Sequence, residues 1–336
     1  MLRKNLTAFI ILFFLLFANI SYAVVVRPFI IDTDVGMDDM MALLLMLNEP
    51  SVEVKAILID GNGNCLQAAA INNAIGLLSL VHKTQIPIAY GPAYSLAYGH
   101  SLPPYAVANS DMLSEYLPHL VNMKIPGDAA GLLINTLKAA PQPINILTIG
   151  SFTNIAQALV RDPSIKDHIA HIYTMGGAVA VPGNMFWAGG LYPNRLAEWN
   201  MAFDPLASAI VFQFNLPITI IPLDMTNHYP ITQAFVDQFK NNDKPVAHYL
   251  YEEFQKHQKF YQNGLWYFWD PLAAYVAINP SAANCKVETL RVLLQPNTKS
   301  GALVRDPDGN LITVCYSLKS PALFKQDLLQ HISAYS

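Results

Sequence analysis

The sequence predicts a single α/β domain, Rossmann-like, in which a mostly parallel central sheet is flanked by helices. Short apolar runs alternate with longer helical patterns along most of the chain. The runs are continuously apolar rather than alternating, as in strands buried on both faces. No internal repeat, low-complexity linker or clear boundary divides the chain.

The elements follow in order. Residues 24–31 read as a strand, 38–48 as a helix, 54–59 as a strand and 66–81 as a helix. A strand at 86–89 precedes a helix at 129–139, a strand at 144–149 and a helix at 154–160. Then come strands at 169–175 and 217–221 around a helix at 205–212. The pattern changes afterwards: 231–262 and 271–278 read as helical, and 287–294 and 311–316 as strands. Between those strands, Asp306-Pro307-Asp308-Gly309 carries hairpin turn chemistry. Two stretches with little periodicity, 91–110 and 182–195, are long enough to be candidate lids.

The chain has 336 residues, 53% hydrophobic and 13% charged, with a net charge of −4. That length and balance allow a sizeable core and argue against disorder. No long basic run is present, so a nucleic-acid polymer is excluded as partner and a small ligand is left. Arg3 and Lys4 precede an unbroken apolar run at 8–18, and Ser21-Tyr22-Ala23 follows. This is a secretory signal pattern, and the run is too short to span a bilayer. The expected division is a signal peptide at 1–23 and a domain at 24–336. The product would be periplasmic or secreted, with no stable membrane association after cleavage; an uncleaved anchor is the alternative. Cys65, Cys285 and Cys315 have no metal-type spacing. Buried thiols are expected, with a Cys285–Cys315 pair in an oxidising compartment as the alternative.

The sharpest feature follows the first strand: Asp32-Thr33-Asp34-Val35-Gly36-Met37-Asp38-Asp39. Ligands of open α/β sheets bind at the carboxyl ends of strands, and Asp38 and Asp39 would open the next helix at its positive dipole end. Carboxylates this close raise one another's pKa unless a cation joins them. An oxygen-only set suits Ca²⁺ or Mg²⁺ rather than zinc. A strand followed by Asp-x-Asp also resembles the haloacid dehalogenase-type phosphatases, in which Asp32 would be the nucleophile. The Asp38-Asp39 pair is foreign to that pattern, and no convincing lysine and late Asp-Asp pair completes it.

The same run resembles the N-terminal signature of the inosine–uridine nucleoside hydrolase family, and further segments match in order. They are Gly63-Asn64, Ile149-Gly150-Ser151-Phe152-Thr153-Asn154, Met175-Gly176-Gly177 with Gly183-Asn184, Ala197-Glu198-Trp199-Asn200 through Asp204-Pro205, and Trp269-Asp270-Pro271. The resemblance implies hydrolysis of the N-glycosidic bond of ribonucleosides, with Ca²⁺ as cofactor. Asp34, Asp39, Asp270 and the main-chain carbonyl of Ile149 would hold the ion, and Asp34 would be general base toward a water on it. Asp38 would bind ribose hydroxyls. Asn64, Asn184, Glu198 and Asn200 would hold the rest of the sugar, with Met175 beside it and Asp32 orienting the loop. A homodimer or homotetramer is implied.

Residue types fit this chemistry, because breaking a ribosyl C–N bond passes through an oxocarbenium-like state that carboxylates favour. Taken alone, Asn154 reads as a helix cap, Gly176 and Gly177 as a tight turn, and Trp199 as a core aromatic. Where nonspecific and pyrimidine-preferring members carry a histidine as leaving-group acid, this chain has Trp269. It resembles the purine-specific branch, where Trp269 would stack on the base, with Trp266 and Tyr267 extending the wall. Tyr105 is the nearest candidate for a second stacking aromatic, with Tyr94 and Tyr98 behind it. An exported nucleoside-binding protein without turnover is a further alternative, although binding alone needs no base such as Asp34.

Overall fold

The computed structural model describes residues 25–65, 67–101, 115–118, 125–187, 192–294 and 298–333. The leader at 1–23 and Tyr105 lie outside the described residues. Among the described residues no helix is long and apolar enough to cross a membrane.

The strands are β1 (Arg27–Thr33), β2 (Val52–Ile59), β3 (Ile88–Tyr90), β4 (Ile144–Thr148), β5 (Ile169–Met175), β6 (Ile218–Ile221), β7 (Ala283–Val292), β8 (Leu303–Arg305) and β9 (Asn310–Leu318). Among the described residues they form one sheet in the order β3-β2-β1-β4-β5-β6-β9-β7-β8. Neighbours from β3 through β9 run parallel. Only β7 is antiparallel, to β8 and to β9. The order reverses between β1 and β4, the switch point at which such sheets open a crevice beyond their strand ends.

The helices are α1 (Met37–Asn48), α2 (Gln67–Leu80), α3 (Ala129–Ala139), α4 (Thr153–Arg161), α5 (Trp199–Phe203), α6 (Pro205–Gln213), α7 (Leu223–Thr226), α8 (Gln233–Val236), α9 (Pro245–Lys256), α10 (Gln258–Gln262), α11 (Trp269–Ile278) and α12 (Pro321–Ser333). Successive β1 side chains face opposite layers. Phe29 and Ile31 pack with residues of α1, α2, α9, α11 and α12, and Ile30 packs with residues of α3, α4 and α6. Helix α1 is buried along its whole Met40–Leu47 stretch, as an apolar, straight-chain run demands. It stops at Glu49, which is extended ahead of Pro50 because proline disfavours a helical residue before it. Beside α1 lies the equally buried α11, whose far end is capped from β1. There the Arg27 guanidinium donates to the carbonyls of Ala277, at 3.1 Å, and Ile278.

Three expectations are corrected. The stretch 231–262 is not one helical run: α8, α9 and α10 are separate, with Asn241-Asn242-Asp243 and Pro245 punctuating it. The strands expected at 287–294 and 311–316 do pair antiparallel, as β7 and β9, but the 306–309 turn joins β9 to β8 rather than to β7. It carries the chain across β7, since Leu290 pairs with Arg305 of β8 on one side and Asn310 of β9 on the other. Finally, Cys285 and Cys315 are not separate thiols. They face each other across the β7–β9 ladder and form a disulfide, leaving Cys65 as a buried thiol.

Candidate active site

The β1–α1 loop supplies most of the acids. Val35 within it adopts φ 55°, strained for a β-branched residue, and local hydrogen bonds hold it there. Its N–H donates to Thr33 Oγ1 at 3.0 Å, and the Thr33 hydroxyl donates to Asp39 Oδ1. The other Asp39 oxygen accepts the N–H of Gly36 at 3.0 Å. Asp34 is buried and accepts the backbone N–H of Asn64 at 2.9 Å and its side-chain amide at 3.3 Å.

Asp270 arrives from the other end of the chain, in the first turn of α11. One carboxylate oxygen each of Asp38, Asp39 and Asp270 lies within 4.8 Å of the others, and the charge of Asp39 acts on Asp34 beside them. Asp38, expected to bind sugar, therefore stands among the expected metal ligands. Burial, then the charges of Asp39 and Asp60, push the Asp34 carboxyl well above the usual range. Burial, then Asp38 and Asp39, do the same to Asp270. Burial and Asp39 push Asp38 up to about 7, and burial raises Asp39. Among the described residues no Lys, Arg or His pairs with any of the four. Like charges gathered away from water without a counter-charge are costly. This all-oxygen set fits a hard divalent cation.

The neutral partners surround the acids. The Asn200 amide donates to the Ile149 carbonyl at 3.3 Å and the Met175 carbonyl at 3.0 Å. Ile149 follows β4 and Met175 ends β5, so Asn200 ties two strand ends together. Glu198 caps α5: it accepts the N–H of Asn200 at 2.8 Å, of Met201 at 3.2 Å and of Gly177 at 2.9 Å. Asn184 accepts the Trp199 N–H at 3.1 Å. Gly177 has φ 89°, and a Cβ there would lie 2.4 Å from Leu303 Cδ1, so the turn expected at this position demands glycine.

Asn154 is not a cap. It lies inside α4 and donates to Asp32 Oδ1 at 2.8 Å and to the Ile59 carbonyl at 3.3 Å. Asp32 thus faces Asn154, beneath the loop it was expected to orient. Asp60, which follows β2, was missed. It is buried and accepts the Ser151 N–H at 2.7 Å. Its signal is the one that marks Asp32 and Asp34, an acid at the end of an apolar strand.

Trp269 opens α11, partly buried, 5.4 Å from the Tyr267 ring. Trp266 does not extend that wall: it is buried and packs 5.1 Å from Phe254. Tyr94 and Tyr98 are exposed. Trp199, expected in the core, is only partly buried and packs edge-on to Tyr192. The described parts of the two candidate lids meet, since Tyr192 donates to the Ser101 carbonyl at 2.7 Å and stacks edge-on against His100.

Such an arrangement is a sheet-end cluster of buried carboxylates suited to a divalent cation. Residues 29–325 match the model of the inosine-uridine preferring nucleoside hydrolases. The pyrimidine-specific ribonucleoside hydrolase RihA of Salmonella enteritidis is 32% identical over 241 residues, 72% of this chain and 74% of its own length. A plant nucleoside hydrolase, PpNRh1, superposes with a TM-score of 0.78 at 25% identity, over 92% of this chain and 99% of that one. A purine-preferring ribonucleoside hydrolase from Gardnerella vaginalis gives the same TM-score and coverage at 23% identity, and shares the fold. The chain belongs to the inosine-uridine preferring nucleoside hydrolase family. It is accordingly an N-glycosidase that hydrolyses ribonucleosides, and the phosphatase alternative falls away.

Proposed function

We propose that the protein hydrolyses purine ribonucleosides to free base and ribose with Ca²⁺ as its ion. The observation that carries this is the convergence of Asp34, Asp38, Asp39 and Asp270, with which no cationic side chain pairs among the described residues. Asp34, Asp39, Asp270 and the Ile149 carbonyl are the proposed Ca²⁺ ligands. When bound, Ca²⁺ supplies a positive centre that gathers the carboxylates and the sugar diol.

Asp34 takes the proton of the attacking water, a role worth about 10²–10⁴-fold in rate. Asp38 accepts hydrogen bonds from the ribose hydroxyls. Asn64, Asn184, Glu198 and Asn200 hold the remaining sugar edge, with Met175 packed beside it, and these carboxylates and amide oxygens favour the oxocarbenium-like charge. Trp269 stacks on the base. Indole has no useful acidic proton, so stacking raises the basicity of the purine and solvent protonates it as it leaves.

Two features support export: the leader pattern at 1–23 and the Cys285–Cys315 disulfide, a bond that persists in oxidising compartments. We place the mature protein in the periplasm or outside the cell, as a homodimer or homotetramer. Mass spectrometry of exported protein and light scattering test these two points.

The main test is a nucleoside panel with Ca²⁺, read by product chromatography. Purine nucleosides are expected to release base and ribose, and Asp34→Asn to turn over about 10²–10⁴-fold more slowly. Turnover confined to uridine and cytidine would reject the purine assignment. Tight nucleoside binding without turnover would favour a binding protein.

A further inference from the structure

We infer that Asp60 is a positioning residue that fixes the Ile149 carbonyl for the metal ion, an inference that rests on the ligand set proposed above. Asp60 stands directly after β2, and its N–H extends the ladder by donating to the Thr33 carbonyl at 2.7 Å. On the other flank of β1, the Ile149 N–H donates to the Asp32 carbonyl at 2.8 Å. The β1 end thus lies between the segment carrying Asp60 and the segment carrying Ile149.

The Asp60 side chain bridges these flanks. Its Oδ2 accepts the Ser151 N–H at 2.7 Å, two residues past Ile149. With its amide nitrogen turned toward Asp60, the orientation that satisfies both ends of the group, Asn62 donates to the same carboxylate. Gly150, between Ile149 and Ser151, is wedged: a Cβ there would stand 3.0 Å from the Asp34 N and 3.2 Å from Asp60 Oδ2. The Ile149–Gly150–Ser151 segment is thus held at both ends, by the Ile149 N–H on Asp32 and the Ser151 N–H on Asp60, with the Ile149 carbonyl accepting from Asn200 at 3.3 Å.

Simple loop closure does not explain this choice of residue. Asp60 is fully buried and, among the described residues, has no cationic partner. A buried carboxylate without a counter-charge is costly where a neutral amide oxygen would also accept. The carboxylate makes a stronger, charge-assisted hydrogen bond to Ser151 and adds negative charge behind Asp34, which favours a cation in front of it.

The test is a Ca²⁺ titration of the full protein by calorimetry, with circular dichroism and thermal melting in chelator to confirm folding. Asp60→Ala is expected to weaken Ca²⁺ binding by about 10–100-fold, the usual cost of losing a residue that orients a ligand. Its kcat should recover to within about threefold at saturating Ca²⁺, because no group that touches substrate has been removed. Asp60→Asn, which keeps the shape and one acceptor, is expected to bind about three- to tenfold more weakly. Wild-type Ca²⁺ affinity in Asp60→Ala overturns the inference. Where Asp60→Ala does not fold, wild-type affinity in Asp60→Asn overturns it instead. Failure of the unmutated protein to bind Ca²⁺ would reject the ligand set itself.

Discussion

Asp270 and Asp39 each bring a carboxylate oxygen to within 4.8 Å of the other, each in the first turn of a buried helix, one near either end of the chain. Two helix N-termini thereby point at one spot, and each adds positive dipole potential where the carboxylates collect. The dipoles offset part of the repulsion, while burial holds all four acids above their ordinary pKa and neighbouring carboxylates add to it for Asp34, Asp38 and Asp270.

Removing one of these acids should have opposite effects with and without metal. Asp270→Asn relieves repulsion in the metal-free protein, so its melting temperature in chelator is expected to rise by a few degrees. Its Ca²⁺ affinity is expected to fall by about 100-fold or more, since one charged ligand is lost. Calorimetry and melting curves on the same sample check both; a metal-free variant less stable than the parent would contradict the repulsion.

The pH dependence has a defined sign. Asp38 and Asp60 are pushed up to about 7, chiefly by burial, whereas an unfolded aspartate titrates near about 3.9. As pH rises between these values the unfolded chain releases protons that the fold retains, so the metal-free fold is destabilised. Glu253, also raised to about 7 by burial, adds in the same direction. In chelator the melting temperature should drop from about pH 4.5 to about pH 7. With millimolar Ca²⁺ the drop should shrink to the share of Glu253, which is not among the proposed ligands, because the ion binds the ionised form of the acid cluster. A rise in chelator over that window would refute the account.

Stacking by Trp269 is separable from metal binding. Trp269→Ala should lower kcat on inosine about tenfold, and Trp269→Phe should retain most of it, in line with about 0.5–1.5 kcal/mol of aromatic contact beyond buried area. Ca²⁺ affinity should not change. An unaltered kcat on inosine would assign Trp269 to packing alone.

The β7–β9 disulfide closes a chain segment with a sequence separation of 30, which by chain entropy is worth about 3–4 kcal/mol. Replacing Cys285 and Cys315 by serine together should therefore lower the urea midpoint and stability by about 2–4 kcal/mol. Activity of the folded double variant should persist, because neither cysteine is among the proposed metal or substrate ligands. Equal stability with and without the pair would show that the bond contributes nothing.

Much of this was legible before any fold was known. The parallel core was readable because strands buried on both faces leave continuous apolar runs, as in β1 and β5. The acids were readable because Asp32, Asp34, Asp38 and Asp39 crowd the end of β1. Asp60 was not, since a lone acid after β2 looks like ordinary turn chemistry until Ser151 is seen against it. Asn154 looked like a cap because local sequence cannot reveal Asp32 across the sheet. The β7–β8–β9 order was hidden because β8 is three residues long, too short to leave a periodic signal. Pairing of Cys285 with Cys315 required the register of β7 on β9.

The grip of Arg27 on the tail of α11 has a mechanical meaning. Arg27 begins the strand that leads to Asp34, while Ala277 and Ile278 finish the helix that Asp270 starts. Strand and helix are thus two rails bolted together at the end remote from catalysis. An ion shared by Asp34 and Asp270 would be the second bolt, so loosening either fastening would let the rails slide and be felt at the other.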